Sequence, residues 1–225
     1  MLKKQEYLAM LPENLREGLE PLFTRLQNER ILELENLIKI IKSDSYQKLI
    51  NDWQKYLNSN ESDSREKPKH ANDTIYQLAC DIIFKKYRKL VKIGKKISDE
   101  TTDAEFHLLR IKSKQLRYLI EFFSSLFPPN EISSLIKHLK KLQDILGDYH
   151  DLYIQQQNLK HYLKQDDSDS TDSVPYIAAV GGLIAVLHQK QQSIRRNLTG
   201  IFYEFNQKSE RQIYRQLFNP GDRNK

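Results

Sequence analysis

With 225 residues, a formal net charge of +6, and 39% hydrophobic against 29% charged residues, the chain can bury a sizeable core and is basic enough to favour an acidic partner. One cysteine excludes an internal disulfide framework, and no stretch approaches the roughly 18 uninterrupted apolar residues of a spanning helix. Seven Gly and seven Pro among long periodic segments indicate an all-α class with long antiparallel helices in a helical-bundle arrangement.

In chain order, residues 1 to 42 read as helix, interrupted near Pro12 and restarted around Pro21, since proline is tolerated in a first turn. The opening MLKKQEYLAMLPENL lacks a signal-peptide core, so the expected location is the cytoplasm. From Leu22 the residues Leu26, Leu32, Leu34, Leu37, Ile38 and Ile41 approximate an apolar face. Ser43, Asp44 and Ser45 supply a break with N-cap chemistry. Tyr46, Leu49, Ile50, Trp53 and Leu57 then recur at three- and four-residue intervals, which predicts a helical hairpin. Residues 1–57 thus form one helical region, and 58–72, NSNESDSREKPKHAN, read as a flexible linker that includes His70.

Helix is expected again from Asp73 to about Ile97, opening the 73–225 region. Cys80 sits among Ile75, Leu78, Ala79, Ile82 and Ile83, so it reads as a buried small hydrophobe. Lys85, Arg88, Lys89, Lys92 and Lys96 occupy one arc of this helix, with Lys95 at its edge and no acid between Phe84 and Ile97. A single-sign run of that length repels itself, by a few tenths of a kcal/mol per i,i+4 pair. It reads either as a solvated face or as an anion-binding one.

SDETT at 98–102 breaks the chain, and Thr102 with Glu105 makes a capping box for the next helix. In that helix, HLLRIKSKQLRYLIE, the spacings of three, four and three place His107, Arg110, Lys114 and Arg117 on one stripe. Leu108, Leu109, Leu116, Leu119 and Ile120 take the other side. The helix is expected to run to Pro128 and Pro129. The next is expected from Asn130 to about Leu163; Lys137 and Lys141 share its polar arc with Asp144, Asp148 and Asp151, as on an ordinary exposed helix. An acidic linker at 164–175 includes Asp166, Asp167, Asp169 and Asp172. The last long helix starts at Tyr176 and passes through Leu183, Leu187, Ile194 and Phe205. Lys190 lies on its apolar stripe, either snorkelling to the rim or facing a wet anionic cavity. SERQIYRQLF reads as a short terminal helix.

Catalysis is hard to build here. There is no GK[ST] phosphate loop, no GxSxG and no HExxH. The six histidines, His70, His107, His138, His150, His161 and His188, are scattered, and His150 and Asp151 point about 100° apart on a helix. No metal site or cofactor is expected. The cations instead suit a polyanion, with His107 as a further hydrogen-bond donor to phosphate. The aromatics do not alternate with the cations as in single-strand binders.

HLLRIKSKQLRYLIE, followed after the Pro-Pro turn by LIKHLKKLQDILGDYHDL at 135–152, resembles the signature of the CHAD family, the conserved-histidine α-helical domains. The resemblance implies two related helical bundles around a basic cavity, non-catalytic binding of inorganic polyphosphate, and a place at polyphosphate granules. His107 matches the family's named histidine; Arg110, Lys112, Lys114 and Arg117 match the cations of HxxRxxxKxLR; Gly147 and Asp151 match LGxxRD, with His150 where that element has arginine. The resemblance gives the polyphosphate-binding set as His107, Arg110, Lys114 and Arg117 with Lys85, Arg88, Lys89, Lys92 and Lys96, joined by Lys137, Lys141 and Lys190. The opening MLKKQEYLAMLPENLREGLEPLF resembles the segment after the first of two motif pairs, which implies that residues 1–57 are a first half without its leading helices, leaving exposed apolar surface and scope for self-association. The alternative reading is a basic module for nucleic acid, bound non-specifically, or for a phosphate-metabolising enzyme.

Overall fold

The computed structural model describes residues 2–58, 72–165 and 174–219. Both linkers, with His70 and the acidic cluster from Asp166 to Asp172, lie almost wholly outside them. All described elements are helical: α1 (Leu2–Ala9), α2 (Glu13–Arg16), α3 (Glu20–Ile41), α4 (Asp44–Asn58), α5 (Ile75–Gly94), α6 (Asp103–Phe122), α7 (Pro129–Gln165), α8 (Val174–Phe205) and α9 (Lys208–Phe218). By packing the chain divides into two compact units, Met1–Lys69 with Gln165–Leu183, and His70–Lys164 with Ile184–Lys225. Residues 165–183 therefore belong with the N-terminal helices, although the sequence alone groups them with everything after residue 73.

The reason lies in the fit at Gly18. A Cβ there would sit 2.3 Å from the Pro175 carbonyl oxygen and 2.9 Å from the Ala179 Cβ, so glycine lets the backbones touch. Around this contact Leu11, Leu19, Leu22, Val180 and Leu183 are buried. Pro21 stands in the first turn of α3, and Ser43 accepts from the Tyr46 N–H at the start of α4.

The expected α3–α4 hairpin does not close. Leu22 is the only buried residue of α3, and α4 has none. Ile31, Leu34, Leu37, Ile38 and Ile41 stay exposed, as do Tyr46, Leu49, Ile50, Trp53, Tyr56 and Leu57. Their periodicity makes the helices amphipathic, but the apolar faces are uncovered.

The second unit is built on one apolar cluster that includes Ile83, Leu90, Phe106, Leu116, Leu139, Leu146, Phe202, Tyr214 and Phe218. Cys80 is buried in it. Thr74 with Gln77, and Thr102 with Glu105, form capping boxes at the starts of α5 and α6, each satisfying amide donors the helix leaves free. Gly94 is the last residue of α5, and its missing side chain leaves the space that Phe202 fills: a Cβ would meet the ring at 2.0 Å. Helix α6 stops at Phe122, before the Pro-Pro pair. Phe123 turns into the core, a 3-10 turn spans Ser124–Leu126, and Pro129 opens α7 as its first residue, where its missing N–H costs nothing.

Candidate functional site

The cations picked out by the sequence fall on two different sides of α6. Its stripe faces α7: the His107 ring lies 4.4 Å from the His150 ring at 35°, and Arg117 Nε donates to Gln143 Oε1 at 2.8 Å. The α5 cations face the opposite side, where Lys89, Lys92 and Lys96 line a cleft of about 370 Å³ with Leu108, Leu109 and Glu105 of α6. On a helical wheel Glu105 and Leu109 stand roughly 160° from His107, at about 100° per residue. The two basic sets therefore form separate surfaces rather than one groove.

Within the α6 stripe the donors are partly spent. Arg117 also pairs with Glu121 at 2.8 Å, while buried Gln143 donates to the Ser113 carbonyl at 2.8 Å. This chain of bonds fixes α6 to α7, so Arg117 serves packing as well as charge. Arg110 and Lys114 are half-buried, and Lys114 lies 6.0 Å from the Tyr118 ring. His107 Nδ1 is buried without a hydrogen-bond partner. Burial holds the His150 pKa below its ordinary value, and the neighbouring His107 and Arg110 act in the same direction, against Asp151. His150 is thus the group that His107 faces, a pairing hidden in the sequence by 42 intervening positions.

The α5 set is different. Lys85, Arg88, Lys89, Lys92, Lys95 and Lys96 are all exposed, and among the described residues no carboxylate lies within ion-pair distance of any of them. Glu105, the acid in the α5–α6 cleft, is occupied by capping: the Thr102 N–H and hydroxyl donate to it at 2.8 and 2.9 Å, and these bonds hold its pKa below the usual range.

The remaining candidates sit elsewhere. Lys141 pairs with Glu204 of α8 at 2.6 Å, so its charge is matched. Lys137 is exposed on α7. Lys190 is also exposed, on α8. Arg195 is a clamp. It donates to the Asp99 carbonyl at 2.8 Å, to the Thr101 carbonyl, and to the Tyr149 hydroxyl at 3.2 Å, tying the 98–102 loop to α7 and α8. Tyr149 in turn donates to Asp103; burial, with that bond, pushes its hydroxyl pKa up to about 12.

Among the described residues no group of three or more His, Cys, Asp or Glu side chains could hold a metal ion, and no helix is long and apolar enough to cross a membrane. A family model described as CHAD domain matches residues 1–160. No curated protein matches the chain.

Proposed function

The chain belongs to the CHAD family, and from that premise we propose that it binds inorganic polyphosphate, without catalysing a reaction on it, chiefly through the exposed cations of α5. The observation that carries this reading is the row Lys85, Arg88, Lys89, Lys92, Lys95 and Lys96, six exposed cations on α5 and the two residues that follow it, with no carboxylate paired to them among the described residues. Such a row is unfavourable in the free protein and is relieved by a polymer whose charges repeat along its length. Desolvation of bases is not required, which suits a phosphate chain better than a nucleic acid. The α6 stripe contributes less, because Arg117 is held by Gln143 and Glu121. Residence at polyphosphate granules in the cytoplasm follows from this ligand.

The test is replacement of Lys85, Lys89 and Lys96 together by Gln, which removes exposed charge without removing a contact. The affinity for long-chain polyphosphate should fall at least tenfold at physiological salt. The slope of log K against log salt should drop by roughly 2, since each lost phosphate contact on a single strand is worth about 0.7. Unchanged affinity and slope would overturn the assignment.

A further inference from the structure

The terminal helix α9 lies along α5. Tyr87 stacks on Tyr214 at 3.8 Å and 9°, and Cys80 Sγ approaches the Leu217 carbonyl at 3.7 Å, so the helices run antiparallel. Above this floor opens a cleft of about 710 Å³. One wall carries Arg88 and Lys92 of α5 with Lys95 just past its end, the other Arg211 and Arg215 of α9, and no carboxylate lines it. The five cations are exposed, and none has a hydrogen-bond or ion-pair partner among the described residues. The acid of α9 that could have neutralised them, Glu210, is buried and lies 2.9 Å from His138 Nδ1.

Resting on the polyphosphate reading, we propose that this α5–α9 cleft is the principal seat of the phosphate chain, with Arg211 and Arg215 as binding residues. Both lie beyond the part of the chain that the family model covers, residues 1–160. The distance along α5 from Arg88 to Lys95 is about 10 Å at 1.5 Å per residue, so the two walls can grip several consecutive phosphates. Arginine forks can each hold two oxygens of a phosphate, while the lysines act as point charges between them. Of the two rings that line the cleft, Tyr87 is buried with one face taken by Tyr214, and Phe84 is half-buried beside it. Five cations without an array of exposed rings suit a ligand that is all phosphate better than a stacked single strand.

The experiment compares Arg211→Gln/Arg215→Gln with Lys140→Gln/Lys160→Gln, two exposed pairs of equal charge change, by titration with long-chain polyphosphate and with tripolyphosphate. The α9 pair should lose at least tenfold in affinity for both probes, with an unchanged melting temperature, and the control pair less than twofold. Wild-type binding that the two pairs weaken equally would overturn the cleft while leaving polyphosphate binding in place. Wild-type protein that binds neither probe would overturn the polyphosphate reading, and the cleft with it.

Independently of the cleft, the uncovered faces of α3 and α4 carry a second inference. At 36–63% exposure each, the eleven residues that form the two apolar stripes present on the order of 1,000 Å² together. A stable interface needs roughly 800 Å² per partner, and the largest apolar patch of a typical monomer is about 300–600 Å². We infer that a second copy of the chain covers the two stripes, with the two α3–α4 pairs meeting face to face. Sedimentation velocity from 1 to 100 µM should show a dimer that Leu49→Glu/Trp53→Glu converts to monomer while the helical content is kept. A wild-type monomer throughout this range, or a dimer indifferent to both substitutions, would overturn it.

Discussion

Arg117→Ala separates a packing role from a binding role. The guanidinium makes two charge-assisted bonds, to Gln143 and Glu121, each at 2.8 Å. The first is to a buried side chain whose own amide is committed to the Ser113 carbonyl. Removing the arginine leaves the Gln143 oxygen without its donor at the α6–α7 contact, a loss of about 1.5–3 kcal/mol for a bond to a charged group. The Glu121 pair is partly exposed and adds at most about 0.5 kcal/mol. A total of about 2–3 kcal/mol corresponds to a fall in melting temperature of about 4–12 °C for a domain of this size. The assay is thermal and urea unfolding of Arg117→Ala, Gln143→Ala and the double variant, followed by helical circular dichroism. A coupling energy of about 1–2 kcal/mol between the two sites is expected. Unchanged stability together with a large loss of polyphosphate affinity would refute this reasoning and return Arg117 to the ligand.

Arg195→Met removes three donors to Asp99, Thr101 and Tyr149 and should destabilise the protein by about 3 kcal/mol, read as a lowered urea midpoint. Gly94→Ala forces a methyl group into the Phe202 ring and should cost about 1–3 kcal/mol or more in the same assay. His150 has a folded-state pKa below its ordinary value, so the unfolded chain binds more protons below about pH 6.5 and stability falls as the pH drops through that range. His150→Gln should flatten this acid-side loss in melts between pH 5 and 7. His150→Arg, which restores the family's LGxxRD element, should strengthen polyphosphate binding at pH 7.5 and reduce its pH dependence, measured by titration at pH 6 and 7.5.

The helices were legible because their signals are local. The Thr102–Glu105 capping box and the stripes of α5 and α6 depend on spacing alone, and they stand where the periodicity puts them. The end of α6 was not, because Phe123 leaves the helix to enter the core, a tertiary preference that overrides the later prolines. Nor was the side of α6 on which each basic set would lie: a helical wheel gives angles, not neighbours. The separation of the two surfaces depends on Leu108 and Leu109 facing α5 while His107 faces His150. Arg211 and Arg215 carry a faint signal, two arginines four apart on an amphipathic terminal segment, but their partner wall on α5 is more than a hundred positions away. The open α3–α4 pair looks like a hairpin in the sequence because amphipathic periodicity reports that a face is apolar and is silent on what covers it.

The most direct test of the account is a competition titration at physiological salt, with labelled long-chain polyphosphate bound to the wild-type chain and challenged by single-stranded RNA at matched phosphate concentration. The account predicts tight binding that RNA displaces poorly, with a raised melting temperature in the bound state as the repulsion along α5 is relieved. Absence of binding, or displacement by RNA as effective as by unlabelled polyphosphate, would contradict it.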